Sequence, residues 1–417
     1  MIAPASVVSF AKWLTPKRIR AQAVVLAVCL WGVFAVDFST AGLYDRAGNI
    51  KFQDFLPFYI SARLIAQHRA AELYDPNTRA HELQSILGQP TQVRLSNVYG
   101  PQVGLLFLPL SHLPFLAAAR TWTMLSLVLY FVCIYSAWRN LRNLWAFRSL
   151  ILIAALAFPP LFHLCARGQI SALVLLCFTA ALLALSKNRN LAAGVAFGCL
   201  IVKPQFLVAI PLLLLISASW RILAALVLSA SAQLALAGFY FGSSVMHAYF
   251  EVLRHPSRWI DVAELSLAPI QMHSLRSFWS LLIPSHSAAL ALYLLSSAIT
   301  LALAASVWRS GSALAIRFAA LTFAAVLVNP HLFVYDLLVL APALLVLVDW
   351  SLNAEHSSRN PVLHVLLYLA LVLPLLGPLS RWTHVQLSVI DFVLILALLY
   401  HLSVRARALA SSESLVV

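Results

Sequence analysis

The stretch "ALVLLCFTAALLAL", residues 172–185, carries no charge and shows no polar face. Its apolar residues do not alternate as along a half-buried strand, and no row of polar residues marks a wet side. "DLLVLAPALLVLV", residues 336–348, reads the same way. Comparable runs recur along a chain of 417 residues that is 62% hydrophobic and 10% charged, with a mean hydropathy of +0.89. A water-soluble core needs far fewer apolar residues, so the chain reads as a polytopic membrane protein. Inside lipid every backbone polar group needs a partner within the protein, which leaves helices or a closed barrel. The runs are too long and too uniformly apolar for barrel strands. The fold class is therefore all-α, with about 10–12 transmembrane helices.

Spans are expected at about 21–37, 116–137, 149–165, 169–186, 191–202, 205–218, 221–240, 288–308, 313–328, 332–349, 362–379 and 386–403. With a cytoplasmic N-terminus, strict alternation puts Arg139, Arg142, Arg148, Lys187, Arg189, Arg309, Arg359, Arg405 and Arg407 inside, beside short loops, as the positive-inside rule asks. The division is a cytoplasmic N-terminus (1–20), one transmembrane domain (21–403) and a cytoplasmic tail (404–417). Two outer loops follow, at about 38–115 and 241–287. The segments 191–202 and 205–218 form a broken hairpin with its "KPQ" tip outward. The Pro-broken "VYGPQVGLLFLPLSHLPF" dips in or forms short helices. Residues 12–36 fit an uncleaved first transmembrane helix, although "VFA" at 33–35 faintly resembles a signal-peptidase site.

The net charge of +14 comes from basic residues scattered singly or in twos, which is membrane orientation and excludes a nucleic-acid groove. Cys29, Cys133, Cys165, Cys177 and Cys199 form no CxxC pair and read as small buried hydrophobes.

The rare polar residues gather on the outer side: Asp37, Asp45, Asp54, Glu72, Asp75, Glu82, Glu251, Asp261 and Glu264, with Asp336 and Asp391 opening spans that start there. Asp37 ends the first helix and fits an interface residue, while Glu72, Asp75 and Glu82 fit solvated loop charge. Arg381 beside Trp382 fits an interfacial anchor or a ligand residue equally. His163, His331 and His384 show no HExxH or close pairing and read as hydrogen-bonded or substrate-positioning histidines. Lys203 interrupts an apolar hairpin, where an ammonium needs an anionic partner. Asp54, in "FQDFLPFYISARLIAQ" (52–67), sits among Phe52, Phe55, Phe58 and Tyr59. It suits either proton abstraction or capping of the helix that follows.

In order along the chain, "DFLPFYISARLI", "AAELYDP", "YGPQVGLLFLPLSHLP", "RGQISALVLLCFTAALLAL", "AGVAFGCLIVKPQFLVAIPLLLL" and "NPHLFVYDLLVLAP" resemble glycosyltransferase family 87, over roughly residues 20–350. The resemblance implies the C-type fold, a bacterial cytoplasmic-membrane enzyme, a polyprenyl-phosphate-linked sugar as donor and an extracytoplasmic glycan or glycolipid acceptor. It implies Asp54 as general base, with Asp37 as rival, and no cofactor or metal ligand set. The leaving phosphate then requires cationic donors, for which Lys203, Arg167, Arg276, Arg381 and His331 are the candidates in that order. Tyr59, Gln169 and Gln205 are the candidate pocket residues on the acceptor side. "NPHLFVYD" resembles only proteobacterial members, so mannose is not implied. Two alternatives stay open: a secondary transporter built around Lys203, and a lipid-glycan polymerase or ligase using Arg254, Arg258 and Arg276.

Overall fold

Uninterrupted apolar sequence becomes helix, and proline and glycine mark the breaks. The computed structural model describes residues 5–88, 97–255, 269–353 and 361–413; Arg258, Asp261, Glu264 and Arg359 lie outside them. Among the described residues seven helices are long and apolar enough to cross a membrane: Pro16–Asp37, Phe115–Trp138, Trp220–Phe241, His286–Trp308, Val334–Ser351, Pro361–Thr383 and Leu387–Ala408. The pair Arg142–Leu156 and Pro159–Arg167, bent by 43°, makes an eighth if taken as one span. Pro159 and Pro160 cause that break, because proline fits the first turn of a new helix and cannot donate the backbone hydrogen bond that would continue the old one. The protein is an all-α polytopic membrane protein.

The other expected spans are helical but shorter: Ser171–Leu185, Asn190–Val202, Pro204–Ile216 and Leu314–Leu327. Ser171–Leu185 has 15 residues. At 1.5 Å per residue that is about 22 Å, short of the roughly 30 Å hydrocarbon core. Leu314–Leu327 is apolar on all sides because it is enclosed by protein, every residue from Phe318 to Leu327 being buried, whereas Asn190–Val202 and Pro204–Ile216 each keep an exposed apolar face. Gly194 and Gly198 show how close the packing is. A Cβ on Gly194 would stand 2.4 Å from the Ile222 carbonyl, and one on Gly198 2.5 Å from Ser229 Cβ. Only glycine lets these two helices meet backbone to backbone. By contrast, Pro16–Asp37 lies at the edge of the bundle with Ala23 as its one buried residue. Cys29 on that helix is exposed, correcting its reading as a core residue, whereas Cys133, Cys165 and Cys177 are buried.

The segment expected as the first outer loop builds a second core around Phe55, Phe58, Tyr74 and Phe107, closed by the helix Ser243–Arg254 through Tyr249. The Tyr74 and Tyr249 rings lie 5.8 Å apart. The Pro-broken stretch forms two short pieces, Pro101–Leu106 and Leu108–His112, neither long enough to cross. The carboxylates of this segment are not free charge. Glu82 is buried and paired with Arg69 (2.9 Å) and Arg63 (3.4 Å), Glu72 pairs with Arg69 (2.7 Å), and Asp75 caps Pro76–Leu87 by accepting from the Thr78 amide (2.9 Å). Glu72 and Asp75 find these partners three residues away, whereas Glu82 is met by Arg69 from 13 positions off, a pairing that the fold brings about.

Candidate active site

The site begins where the helix Pro159–Arg167 stops. Gly168 takes a left-handed conformation (φ +72°), and a Cβ there would stand 3.0 Å from Phe55 Cβ and 3.1 Å from Phe52 Cβ. The missing side chain therefore lets the segment around Phe52 and Phe55 lie directly on the helix end. That segment arrives as the tight turn Gln53–Phe55, entered through Phe52 at φ 54°, and it sets Asp54 against Gln169. Gln169 is buried, and its Nε2 donates to Asp54 Oδ2 (3.3 Å) and to the Tyr335 hydroxyl (3.3 Å). Its Oε1 accepts from the Ile170 amide (3.1 Å), and its carbonyl accepts from Trp122 Nε1 (3.1 Å). The amide cannot flip without losing these bonds, so its donors are held toward Asp54 and Tyr335. Asp54 itself is half-buried, and its Oδ1 makes no hydrogen bond among the described residues.

The chain leading to Asp54 is held from below. Lys51 is buried and its Nζ donates to the carbonyls of Thr40 (2.6 Å) and Gly42 (3.2 Å). Asp37 Oδ1 accepts from the Arg46 amide (3.1 Å), while Arg46 Nε donates to the Val36 carbonyl (2.9 Å). Asp37 thus ties the first helix to its following loop. Stacked Phe34 and Phe38 (4.4 Å) and edge-on Phe38 and Phe52 (5.0 Å) continue the support up to the turn.

Three nitrogen-bearing side chains lie near the start of the Val334–Ser351 helix. Arg167, two residues before Gln169, is half-buried and makes no hydrogen bond or ion pair among the described residues. Tyr335 lies within electrostatic reach of both Asp54 and Arg167, which brings the three into one neighbourhood. Arg276 is exposed and reaches the Pro330 carbonyl at 3.5 Å, beside His331. Burial pushes His331 down to about 4; Asp336 opposes this, while Lys203 and Arg276 add to it. His331 is therefore neutral near pH 7 and has one N–H to donate.

Lys203 lies deeper. It is 2% exposed, and its Nζ forms an ion pair with Asp336 (1% exposed) and donates to Ser171 Oγ (3.0 Å). Ser171 donates to Asp336 Oδ1 (2.6 Å), the Phe333 amide donates to Oδ2 (3.3 Å), and the Tyr335 ring centroid lies 4.8 Å from Nζ. The anionic partner expected for this ammonium is a carboxylate of the same chain.

The remaining candidates are placed elsewhere. Arg381 is exposed on the short helix Ser380–Thr383, with no bond tying it to Asp54. The Tyr59 hydroxyl donates to the Leu113 carbonyl (2.7 Å), and its ring packs on Phe115 (5.5 Å) in the second core. Gln205 is half-buried in the turn Pro204–Leu207. Among the described residues no three His, Cys, Asp or Glu side chains gather as a metal site. From sequence Asp336 stands out only as opening a span, and Ser171, Tyr335, Gly168 and Lys51 carry no site role, although the first three lie within quoted motifs.

The sequence model of glycosyltransferase family 87 matches residues 97–330, more than half of the chain. No curated protein and no solved structure matches it.

Proposed function

The chain belongs to glycosyltransferase family 87 and is a multi-pass membrane glycosyltransferase; on that premise we propose that it moves a sugar from a polyprenyl-phosphate carrier to an extracytoplasmic glycan or glycolipid. The enzyme is a C-type glycosyltransferase of a bacterial cytoplasmic membrane, with its site facing outward. One observation carries the reading: Asp54 is held at one oxygen by Gln169 while the other is open, beside an Arg167 that has no partner among the described residues.

The open oxygen is placed to accept a proton. As an acceptor hydroxyl attacks the anomeric carbon, its proton passes to Asp54, a new C–O bond forms, and the bond from that carbon to the phosphate oxygen breaks with inversion. The electron pair leaves with the polyprenyl phosphate, whose growing charge is met by Arg167 and Arg276, with neutral His331 as a further donor. Lys203 moves from first candidate to a supporting role, because Asp336 already compensates it. Arg381 ranks last, and Asp37 ranks below Asp54 because its Oδ1 accepts from the Arg46 backbone amide and so ties the first helix to its loop. The same ion pair weakens the transporter alternative, which leaned on Lys203 as an unpaired cation. The ligase alternative loses one of its cations, since Arg254 pairs with Glu251 (2.9 Å).

The test is transfer of labelled sugar from polyprenyl-phosphate donors in membranes carrying wild type, Asp54→Asn or Asp37→Asn at matched expression. Asp54→Asn is expected to lose on the order of 10²–10⁴-fold in transfer, the usual worth of a general base, with Asp37→Asn retaining most of it. Loss in Asp37→Asn alone would move the base to the first helix.

A further inference from the structure

The two helices that carry the site have their other ends around a second feature. Pro159–Arg167 starts beside Phe158, and Val334–Ser351 runs from Tyr335 to Val348; Phe158 and Val348 both line an open-sided cavity of about 370 Å³. The cavity lies between the chain's first two helices, the stretch 144–158 and the helices Leu340–Ser351 and Pro361–Val372. Its polar side chains are occupied: His364 Nε2 meets Ser351 Oγ (3.2 Å), Tyr368 donates to Gln22 Oε1 (2.9 Å), and Tyr130 donates to the Ala155 carbonyl (3.0 Å). Water stays in a cavity only where it finds two to four polar partners, and these walls offer almost none. Packed interiors leave few voids larger than a water, so a space of this size among membrane helices is matched to hydrocarbon.

The rim carries the opposite character. Lys12, Lys17, Arg142 and Arg148 are exposed, each within two residues of a lining residue (Ala11, Pro16, Leu144, Phe147). The acid beside the cavity, Asp349, is engaged by the Asn143 amide at 3.0 Å. Exposed Trp13 and Trp145 flank the same rim, as aromatic residues do at a membrane–water boundary. An apolar slot under a ring of lysine and arginine matches one ligand chemistry: a hydrocarbon chain joined to a negative headgroup.

We propose that this cavity binds an anionic glycerophospholipid, one acyl chain in the slot and the phosphate at Lys12, Lys17 and Arg148. The lipid braces Phe158 and Val348, at the far ends of the helices that position Arg167 and Asp336. This site is separate from the donor's, and the inference does not rest on the proposed reaction.

Native mass spectrometry of the full chain in mild detergent tests it, with phosphatidylglycerol, phosphatidylethanolamine and a polyprenyl phosphate added separately and in competition. One phosphatidylglycerol is expected to be retained per chain, about tenfold tighter than phosphatidylethanolamine. Ala154→Trp, which fills the slot, is expected to lose it, and the pair Lys17→Glu and Arg148→Glu to keep a lipid while losing the headgroup preference. The pair leaves the slot intact, so it reads the headgroup site even if Ala154→Trp does not fold. Equal retention of the two phospholipids by wild type, retention by a folded Ala154→Trp, or displacement by the polyprenyl phosphate would each overturn the assignment.

Discussion

Two carboxylates meet the same short stretch of chain, Gln169 to Ser171, and are treated in opposite ways. Asp336 is buried and receives Lys203, Ser171 and the Phe333 amide, so its charge and both oxygens are satisfied. Asp54 is half-buried, held by a single 3.3 Å bond, and has one oxygen open. A closed pair of this kind fixes where helices sit, because breaking it strands a charge in a low-dielectric interior. An open carboxylate contributes little to folding and remains available for a proton. The comparison therefore assigns scaffold to one and chemistry to the other, and it breaks if the two respond alike to mutation.

The largest expected difference is in stability. Lys203→Met leaves Asp336 buried without its counter-charge and is expected to destabilise the protein by about 3–5 kcal/mol, read as thermal unfolding in detergent. Adding Asp336→Leu removes the stranded charge and recovers most of that loss, since a buried pair replaced by apolar groups is often near neutral. Asp54→Asn is expected to leave the unfolding temperature almost unchanged while abolishing transfer. Equal destabilisation by Asp54→Asn and Lys203→Met would collapse the distinction.

Histidines at this end of the bundle sharpen it through pH. Burial, helped by nearby His163, pushes His273 down to about 3, and its Nδ1 lies 2.7 Å from Ser388 Oγ. His331 is pushed down to about 4 from an ordinary 6.5. Both histidines take up a proton more readily in the unfolded chain, so stability is highest above pH 6.5 and falls as pH drops toward 4. The slope is about 1.4 kcal/mol per histidine per pH unit. His273→Gln is expected to remove its share of that acid loss. An unchanged acid limb in His273→Gln would show that the buried histidine is not what limits folding there.

A smaller effect is expected at the joint that brings the two carboxylates onto one stretch. Gly168→Ala places a side chain at φ +72°, against Phe52 and Phe55. The left-handed position alone costs about 1–2 kcal/mol, and a shift of the Gln53–Phe55 turn moves Asp54 relative to Gln169. Transfer is expected to fall by more than the loss of folded protein explains. If activity tracks the folded fraction, the turn does not depend on Gly168 for its placement.

What was legible beforehand follows the range of each interaction. Helices are legible because lipid demands uninterrupted apolar sequence, but the length of each is not: Leu314–Leu327 has 14 residues and is enclosed by protein. Enclosure by protein leaves the same composition as contact with lipid. Asp54 stood out because a carboxylate among aromatics is unusual at any range. Asp336 looked like a residue that merely opens a helix, because its partner Lys203 is 133 positions away and Ser171 is 165 away. No local pattern encodes such a pairing, so Lys203 was read as waiting for a substrate anion. Gly168 carried a signal in "RGQ", but its meaning lies in the close approach of Phe52 and Phe55, which only the fold supplies.

The smallest expected effect lies at Tyr335, a side chain that touches both carboxylate clusters. Its hydroxyl accepts from Gln169 at 3.3 Å, while its ring faces Lys203 at 4.8 Å. Tyr335→Phe keeps the ring and so leaves the closed pair intact; it removes only the hydroxyl that helps aim the Gln169 amide. A long neutral hydrogen bond contributes about 0.5–1.5 kcal/mol, so transfer is expected to fall several-fold with little change in unfolding temperature. Tyr335→Leu removes the ring as well and is expected to lower the unfolding temperature, because the ammonium then loses its aromatic face. A stability loss in Tyr335→Phe as large as in Tyr335→Leu would mean that the hydroxyl serves the scaffold, and that the two carboxylates belong to one cooperative network rather than two.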